Sequence, residues 1–362
     1  MRIELVRRPQ HSSTMAAVSP LIAFAATLII GAILFWAIGK PPGAALYTYF
    51  IDPLTEVWSL HELAIKATPL IIIAVGLSIA YLSNNWNIGA EGQFIMGGIF
   101  GSMIPILLPG FQNVLTLPLM LMFGVIGGMA WGAIPAFLKT RFNANEILTS
   151  LMLVYVAQLF LDWLARGWFR DPQGYAFPGS IRFPAAATLP EIAPTQGGAH
   201  WGLAFALIAA VALWFVMART LKGFEVKVMG ASPRAGRFAG FSSRKMTFFA
   251  FLLSGGLAGL AGITEVSGAI GQLRETISPG YGFTAIIVAF LGRLNPIGVF
   301  IAGFVLALTY LGGEAAQIAL GISDKLARVF QGLLLFLVLA CDTLIYYRIR
   351  FVGTGRTPAG AA

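Results

Sequence analysis

Apolar runs occupy most of this chain, and ten of them are separated from one another by short polar stretches. Their bounds are 18–38, 63–83, 87–108, 115–138, 147–164, 201–217, 246–267, 280–292, 297–313 and 327–347. A helix that crosses a bilayer core of about 30 Å needs about 20 apolar residues, and all but one of these runs approach that length. The segment 280–292 is shorter, so we expect a re-entrant or half-length helix there. The sequence therefore predicts an all-α polytopic membrane protein with about ten transmembrane helices.

The low charge content excludes most soluble classes of protein. Only 11% of the residues are charged and 57% are hydrophobic, whereas soluble domains carry about a quarter charged residues. Such a chain cannot cover a water-facing surface, which argues against a soluble enzyme, a nucleic-acid-binding protein or a disordered chain. The first apolar segment also exceeds the about 7–15 residues of a signal-peptide core, so we expect an uncleaved first span.

The distribution of Lys and Arg predicts the orientation. With ten crossings both termini lie on one side, and that side holds 16 of the 24 basic residues. Cytoplasmic loops carry the excess of Lys and Arg, so both termini should be cytoplasmic. The chain is then divided into an N-terminal arm (1–17), a transmembrane domain (18–347) and a C-terminal tail (348–362). Within the domain, we expect 165–200 to form an outer loop and 218–245 to form a cytoplasmic loop.

Polar residues between the second and third apolar segments form the first candidate site. This run contains Asn85, Asn87, Glu91 and Gln93. Non-helical backbone at membrane depth persists only where protein or water covers it, so we expect a broken helix or tight turn that faces the interior. An embedded carboxylate is a functional candidate by default, which favours Glu91 on a substrate pathway. In the alternative, the turn lies at the cytoplasmic surface and Glu91 only favours the N-terminus of the next helix.

Two further polar positions are candidates for the same pathway. Asn145 and Glu146 begin the fifth apolar segment, where Asn143 or Asn145 can cap the helix and Glu146 can interact with its N-terminus. Capping accounts for most of this pattern. Glu265 lies near the end of the seventh segment, and it either lines a pathway or sits at the outer interface.

The cytoplasmic loop contains the punctuation of a short helix. Ser232 is a favourable N-cap, Pro233 suits the first helical position, and Gly240 suits the C-terminal stop. About two turns of helix are unstable alone in water, so packing should hold them in place. Such a helix can transmit movement from a soluble partner, or it can lie at the interface with Arg234 and Arg237 on lipid phosphates. The docking candidates are Ser232, Pro233, Arg234, Arg237, Phe238 and Gly240.

Pairs of glycines four residues apart predict where helices approach closely. These pairs are Gly97 and Gly101, Gly124 and Gly128, Gly128 and Gly132, and Gly255 and Gly259. No Gly-x-x-x-x-Gly-Lys-Ser/Thr phosphate loop, Ser/His/Asp set or cluster of metal ligands is evident in the sequence. We therefore expect no cofactor, no metal and no ATPase activity in this chain itself.

Five runs of the sequence, taken together, resemble the motifs of a known family. They are Asn87–Gln93, Asn145–Leu153, Gly230–Gly240, Gly280–Ile286 and Leu291–Pro296. These runs are similar to those of bacterial ABC-importer permeases, in the nucleoside and simple-sugar branch of the ribose and branched-chain amino-acid permease superfamily. The resemblance covers residues 60–347, and Asn87–Gln93 is its most specific part.

The resemblance implies an assembly in the bacterial cytoplasmic membrane. Two permease subunits, commonly two related chains, would form the pathway, two cytoplasmic ATPase subunits would drive it, and an external substrate-binding protein would deliver the ligand. It also implies that 230–240 is the coupling helix that docks on the ATPase, and that weak symmetry relates spans two to five and seven to ten. The rival hypothesis is an ion- or proton-driven secondary transporter with Glu91 or Glu265 as the proton carrier. A third hypothesis, a membrane-embedded enzyme, lacks a catalytic set.

Overall fold

The chain is predominantly helical. The computed structural model describes residues 2–7, 13–174, 177–192, 198–323 and 325–352. The α-helices are α1 (Ser13–Ala37), α2 (Pro42–Phe50), α3 (Val57–Leu82), α4 (Ala90–Leu107), α5 (Thr116–Phe142), α6 (Glu146–Arg166), α7 (Gly202–Arg219), α8 (Leu221–Ala231), α9 (Pro233–Phe238), α10 (Ser243–Thr264), α11 (Tyr281–Leu291), α12 (Pro296–Leu320) and α13 (Lys325–Tyr346). The remaining elements are two 3-10 helical turns (Asp52–Leu54 and Ala185–Ala187), a π-helix (Glu265–Ile270) that continues α10, and strands β1 (Arg2–Arg7) and β2 (Tyr347–Val352).

All ten predicted apolar segments lie in helices. Among the described residues, seven helices are long and apolar enough to cross a membrane, and they are α3, α4, α5, α6, α7, α10 with its π-helix, and α12. Three shorter apolar helices, Leu21–Ala37, Tyr281–Leu291 and Arg328–Cys341, account for the other predicted segments. With 11 residues, α11 is about 16 Å long, or about half of a bilayer core. The short helix expected over 280–292 is therefore confirmed.

The two ends of the described chain lie side by side as a pair of strands. These strands are absent from the prediction of an all-α protein. Strands β1 and β2 pair antiparallel, in register from Arg2 opposite Val352 to Arg7 opposite Tyr347. Polar and apolar residues alternate in part of both stretches, a period that favours strands over helices. Residues 1 and 8–12 of the predicted arm, and 353–362 of the predicted tail, lie outside the described residues.

Helical structure also occurs in regions predicted as connections. The short helix α2 lies between the first two apolar segments, and α3 begins at Val57, before the predicted start at residue 63. The cytoplasmic loop predicted over 218–245 contains α8 in addition to the expected short helix. Hydrophobic periodicity alone does not predict these helical segments because they are short or polar. The packing of neighbouring helices decides whether they form.

Helix α3 is the centre of the bundle. Its apolar window is 89% buried, and α7, α10, α11 and α12 pack around it. A helix that is apolar on all sides is buried either in protein or in the bilayer, and α3 is buried in protein. The corresponding windows of α5 and α6 are each 28% buried, so most of their apolar surface is free for lipid or another subunit.

Glycines bring α10 close to α4 and α5. A Cβ added to Gly97 would overlap the backbone of Gly259, and one added to Gly128 would overlap the carbonyl of Gly255. Small residues allow such close approach where lipid provides no hydrophobic drive for association. The predicted close packing is confirmed at these positions, and it places the polar residues of α4 directly against α10.

Candidate functional site

The polar run after α3 is a break between two long helices. Helix α3 ends at Leu82, α4 begins at Ala90, and Asn84 between them adopts a left-handed conformation with φ of 56°. Asn is one of the few residues that tolerate this conformation. The predicted interruption is confirmed, and its Asn85 and Asn87 side chains are buried within protein.

Asn87 and Gln93 form a reciprocal pair of amides. Asn87 Nδ2 donates to Gln93 Oε1 at 2.8 Å, and Gln93 Nε2 donates to Asn87 Oδ1 at 3.2 Å. Asn87 Nδ2 also donates to Ser254 Oγ of α10 at 2.9 Å, and the Gly89 N–H donates to Asn87 Oδ1 at 3.0 Å. Buried polar groups must find such partners, so this network joins the break to both α4 and α10.

Glu91 connects α4 to the short helix α11. Its Oε2 accepts a hydrogen bond of 2.6 Å from the backbone N–H of Gly282, the second residue of α11. The N-terminus of a helix has unpaired N–H groups and a partial positive charge, and both favour a carboxylate. The side chain is only 2% exposed. Although Glu91 lies in the first turn of α4, its carboxylate accepts from the N-terminus of α11.

Lys139 joins two of the predicted clusters. Its Nζ donates to Asn85 Oδ1 at 3.1 Å and forms an ion pair of 2.6 Å with Glu146 Oε1. The end of α3, the end of α5 and the start of α6 are thereby connected. Asn145 lies beside this bridge, and its Oδ1 caps α6 by accepting from the N–H groups of Ile147 and Leu148.

Asn143 lies at the C-terminus of α5 and does not cap α6. It ends α5 in a left-handed conformation with φ of 53°, so of the two asparagines offered as caps for α6, Asn145 is the one that caps it.

Glu265 belongs to a second site. It lies eleven residues after Ser254 along α10, a separation of about 16 Å from the amide network. Its side chain is 7% exposed, and its Oε2 is buried without a hydrogen-bond partner. It lines a cavity of about 520 Å³ with Lys66 and Tyr281.

Helix α9 has the ends that its sequence predicts. Ser232 Oγ accepts from the Ala235 N–H at 3.4 Å, and Pro233 occupies the first helical position. At the other end, Gly240 has φ of 86°, and its N–H donates to the carbonyl of Arg237. This bond and that from Phe241 N–H to Gly236 O form a Schellman motif.

The surface of α9 is exposed although the helix is packed in place. Gly236 is buried against Met229 of α8, and a Cβ there would overlap the Met229 sulfur. The side chains of Arg234 and Arg237 are exposed, and Phe238 is 98% exposed. A large aromatic side chain on a rigid, basic turn is a feature of surfaces that bind other proteins.

His200 does not form a charged or metal-binding site. Burial lowers the pKa of its imidazole to about 4, so it is neutral at pH 7, and its Nδ1 accepts from the Gly202 N–H at 3.1 Å. Within the described ranges, no group of three or more His, Cys, Asp or Glu side chains could hold a metal ion.

The residues missed from the sequence are those whose partners lie far along the chain. Ser254 and Gly282 complete the contacts of Asn87 and Glu91, over separations of 167 and 191 residues. The ion pair of Lys139 is partly predictable, because this lysine is in the last turn of α5 and Glu146 is in the first turn of α6. Nothing in the local pattern marks Ser254.

The chain is similar over nearly its full length to proteins of one transport family. Residues 59–339 match the family model described as branched-chain amino acid transport system / permease component. The chain is 35% identical to a glucose ABC transporter permease protein of Haloferax volcanii, with 96% of this chain and 94% of the relative covered. It is 29% identical to a guanosine ABC transporter permease protein of Bacillus subtilis, with 92% and 94% covered.

A nucleoside ABC transporter permease protein of Lactococcus lactis is 26% identical, with 91% of this chain and 92% of the relative covered. In the part of the chain that the structure describes, seven helices are long and apolar enough to cross a membrane, which agrees with these matches to permeases. The chain belongs to the branched-chain amino acid transport system permease family and is a membrane-spanning permease subunit of an ABC transporter.

Proposed function

We propose that this chain is the permease subunit of an ATP-driven importer for nucleosides or simple sugars, and that it works by alternating access. The observation that carries the proposal is its similarity, over 91–96% of the chain, to permeases named for glucose, guanosine and nucleosides. The sequence has no phosphate loop, so ATP hydrolysis would take place on a separate subunit. These relatives are all ABC permeases, and no observation supports the ion-driven alternative.

The proposed topology has ten crossings of the bacterial cytoplasmic membrane, with both termini in the cytoplasm. The excess of basic residues on that side supports it. The β1–β2 ribbon supports it too, because residues 2–7 and 347–352 can pair only if an even number of crossings separates them. In this topology, residues 165–200 form an outer loop between transmembrane helices. The cytoplasmic side holds the loop 218–245, the arm 1–17 and the tail 348–362.

The proposed substrate pathway passes residues of both candidate sites. They are Asn85, Asn87, Glu91, Gln93, Asn145, Glu146 and Glu265. The amide network and Glu91 hold the α3–α4 break against α10 and α11, so their role would be to set the shape of the pathway. Alternating access requires these helices to move relative to one another, and a break is a position where such movement can be absorbed.

The bridge through Lys139 would act at the cytoplasmic end of the same pathway. It connects three helix ends through a partly buried ion pair and an amide. Opening of the pathway towards the cytoplasm would separate these ends, so the bridge would stabilise the closed arrangement. Glu146 and Asn85 would then act through Lys139 rather than by contact with the ligand.

Helix α9 would couple the ATPase to the spans. Its exposed residues, Arg234, Arg237 and Phe238, offer two positive charges and one aromatic anchor. Its N-cap and Schellman motif, with contacts to α8, make it rigid enough to transmit a displacement. We propose that Phe238 enters an apolar groove of the ATPase and that the two arginines face acidic residues around that groove.

The proposed assembly has four kinds of component: this chain, a second homologous permease, cytoplasmic ATPase subunits and an external substrate-binding protein. The large apolar surfaces of α5 and α6 leave room for both the bilayer and the second permease. No nucleic acid is expected among the partners, because the basic residues are explained by topology.

A purification of the tagged full-length chain in mild detergent tests the proposal. Mass spectrometry should identify an ATPase, a homologous permease and, under gentle conditions, a binding protein. Reconstituted complex whose ATPase faces the vesicle lumen should take up radiolabelled uridine or glucose only when ATP is inside the vesicle and the binding protein is outside. A chain that purifies alone and transports by itself in response to an ion gradient would overturn the importer and favour the secondary transporter.

A further inference from the structure

The cavity beside Glu265 is large enough to hold a small polar molecule. Its volume is about 520 Å³, within the range of about 300–1,000 Å³ typical of ligand sites. Its lining includes Glu62, Lys66, Glu191, Glu265, Gly268 and Tyr281. These residues come from α3, the connection between α6 and α7, the π-helix and the start of α11.

Glu265 lines this cavity, and one of its carboxyl oxygens is an unsatisfied acceptor. Its side chain is more than nine-tenths buried, and its Oε2 has no hydrogen-bond partner. The nearby Lys66 forms its ion pair of 2.9 Å with Glu314 instead. Buried polar atoms in proteins are nearly always paired, so an isolated acceptor at a cavity wall indicates a partner that the protein chain itself does not supply.

The chemistry of the lining selects the kind of partner. Among the lining residues, three carboxylates face one ammonium, which disfavours an anionic ligand. A hydroxyl group both donates and accepts hydrogen bonds, so neighbouring hydroxyls can donate to Glu265 and accept from Lys66. The ring of Tyr281 adds an apolar wall. The π-helix that begins at Glu265 is also a local distortion often found at functional sites.

We propose that this cavity is a subsite for an uncharged polyhydroxylated ligand, with the carboxyl group of Glu265 accepting a hydrogen bond from one of its hydroxyls. The hydroxyl-bearing portion is the sugar itself or the ribose of a nucleoside. Phosphorylated forms are excluded by the carboxylates. This inference rests on the proposed function for the ligand's class, but binding to the subsite requires neither the ATPase nor the binding protein.

Protection of a cysteine tests the subsite. Cys341 is the only cysteine in the chain, so Cys341→Ser with Ala269→Cys places one thiol at an exposed position on the cavity wall. The full-length chain in lipid nanodiscs is alkylated with a maleimide in the presence of glucose, uridine, glucose 6-phosphate, uridine monophosphate or choline. Glucose or uridine at millimolar concentration should slow the reaction, while the phosphorylated probes and choline should not.

Substitution of Glu265 connects the protection to the proposed hydrogen bond. Glu265→Gln replaces the carboxyl group by a carboxamide of similar size, which changes its hydrogen bonding to the ligand, so about tenfold more glucose or uridine should be needed for the same protection. The matched control is Glu275→Gln, which removes a carboxylate that pairs with Arg166 outside this cavity and should change nothing. If Glu265→Gln fails to fold, Lys66→Gln provides a second variant, for which weaker protection is again expected.

Three results would overturn the subsite: labelling that neither glucose nor uridine slows, equal protection by choline or by the phosphorylated probes, or protection unchanged in Glu265→Gln. The proposed function fails separately, when the chain binds no ATPase or transports without one. A chain that purifies with its ATPase but shows no protection refutes only the subsite.

Discussion

The buried polar side chains between α3 and α11 are largely satisfied by other residues of the chain. Asn87, Gln93 and Ser254 share one network, and Glu91 accepts from the N-terminus of α11. A buried donor or acceptor left unpaired costs about 1–3 kcal/mol, so each of these residues stabilises the contact between two helices. Their importance for transport would come from that contact, whereas Glu265 retains a buried oxygen without a hydrogen-bond partner.

Replacement of Glu91 should separate its structural contribution from its charge. Glu91→Ala leaves the Gly282 N–H buried without an acceptor, so we expect stability to fall by about 1–3 kcal/mol and uptake to slow while the complex still assembles. Glu91→Gln keeps an acceptor oxygen and should recover part of both losses. Thermal unfolding in detergent and uptake by reconstituted complex measure the two effects. Normal uptake by Glu91→Ala would remove Glu91 from the pathway.

At the scale of elements, short polar signals predict the ends of helices well. Ser232 and Asn145 cap the helices that follow them, and Gly240 ends α9 in the left-handed conformation. These signals are local, since a capping side chain bonds to N–H groups two or three residues away. They do not specify what the exposed face of α9 binds.

Charge reversal on α9 tests the proposed coupling. Arg234→Glu with Arg237→Glu should abolish recovery of the ATPase with the tagged chain, because two attractive contacts become repulsive. Both side chains are exposed, so the fold should be retained. The matched control is Arg182→Glu with Arg274→Glu, the same change of charge on the proposed outer face. Full ATPase recovery and normal transport by the α9 variant would contradict the coupling role.

A single added methyl group tests the glycine contacts between α4, α5 and α10. Gly97→Ala places a Cβ against the backbone of Gly259, so we expect a loss of about 1–3 kcal/mol or more from overpacking. Gly43→Ala in α2 is the control, because no other atom lies within 4 Å of the added Cβ. That variant should be unchanged or more stable by up to about 1 kcal/mol. Equal unfolding temperatures for the two variants would contradict the close packing.

At the scale of the whole molecule, the order of apolar segments and basic loops predicts a topology that packing alone does not reveal. Across the residues that the structure describes, seven helices have the length and composition of spans, and three shorter apolar helices match the other predicted segments. The paired ends of the chain are compatible with an even number of crossings. The expected symmetry between spans two to five and seven to ten stays a prediction.

Labelling of single cysteines tests this orientation. In a Cys341→Ser background, Ala185→Cys lies in the proposed outer loop and Ala239→Cys lies next to α9, and both positions are exposed. A membrane-impermeant maleimide should label Ala185→Cys in intact cells, or in spheroplasts where an outer membrane is present. It should label Ala239→Cys only after the membrane is permeabilised. The opposite pattern would reverse the proposed orientation, and labelling of both would indicate an incorrect number of crossings.

The sequence by itself determined the helical membrane class, the apolar segments, the break after α3, the short α11 and the caps of α9. Each of these depends on residues close together in the chain, through hydrophobic periodicity, capping or a run of polar residues. Only the tertiary structure decided which polar groups meet. Glu91 finds its partner 191 residues away, Asn87 finds Ser254 across a gap of 167, and Glu265 is left facing a cavity. Such contacts arise from the way whole helices pack, and no local spacing encodes that arrangement.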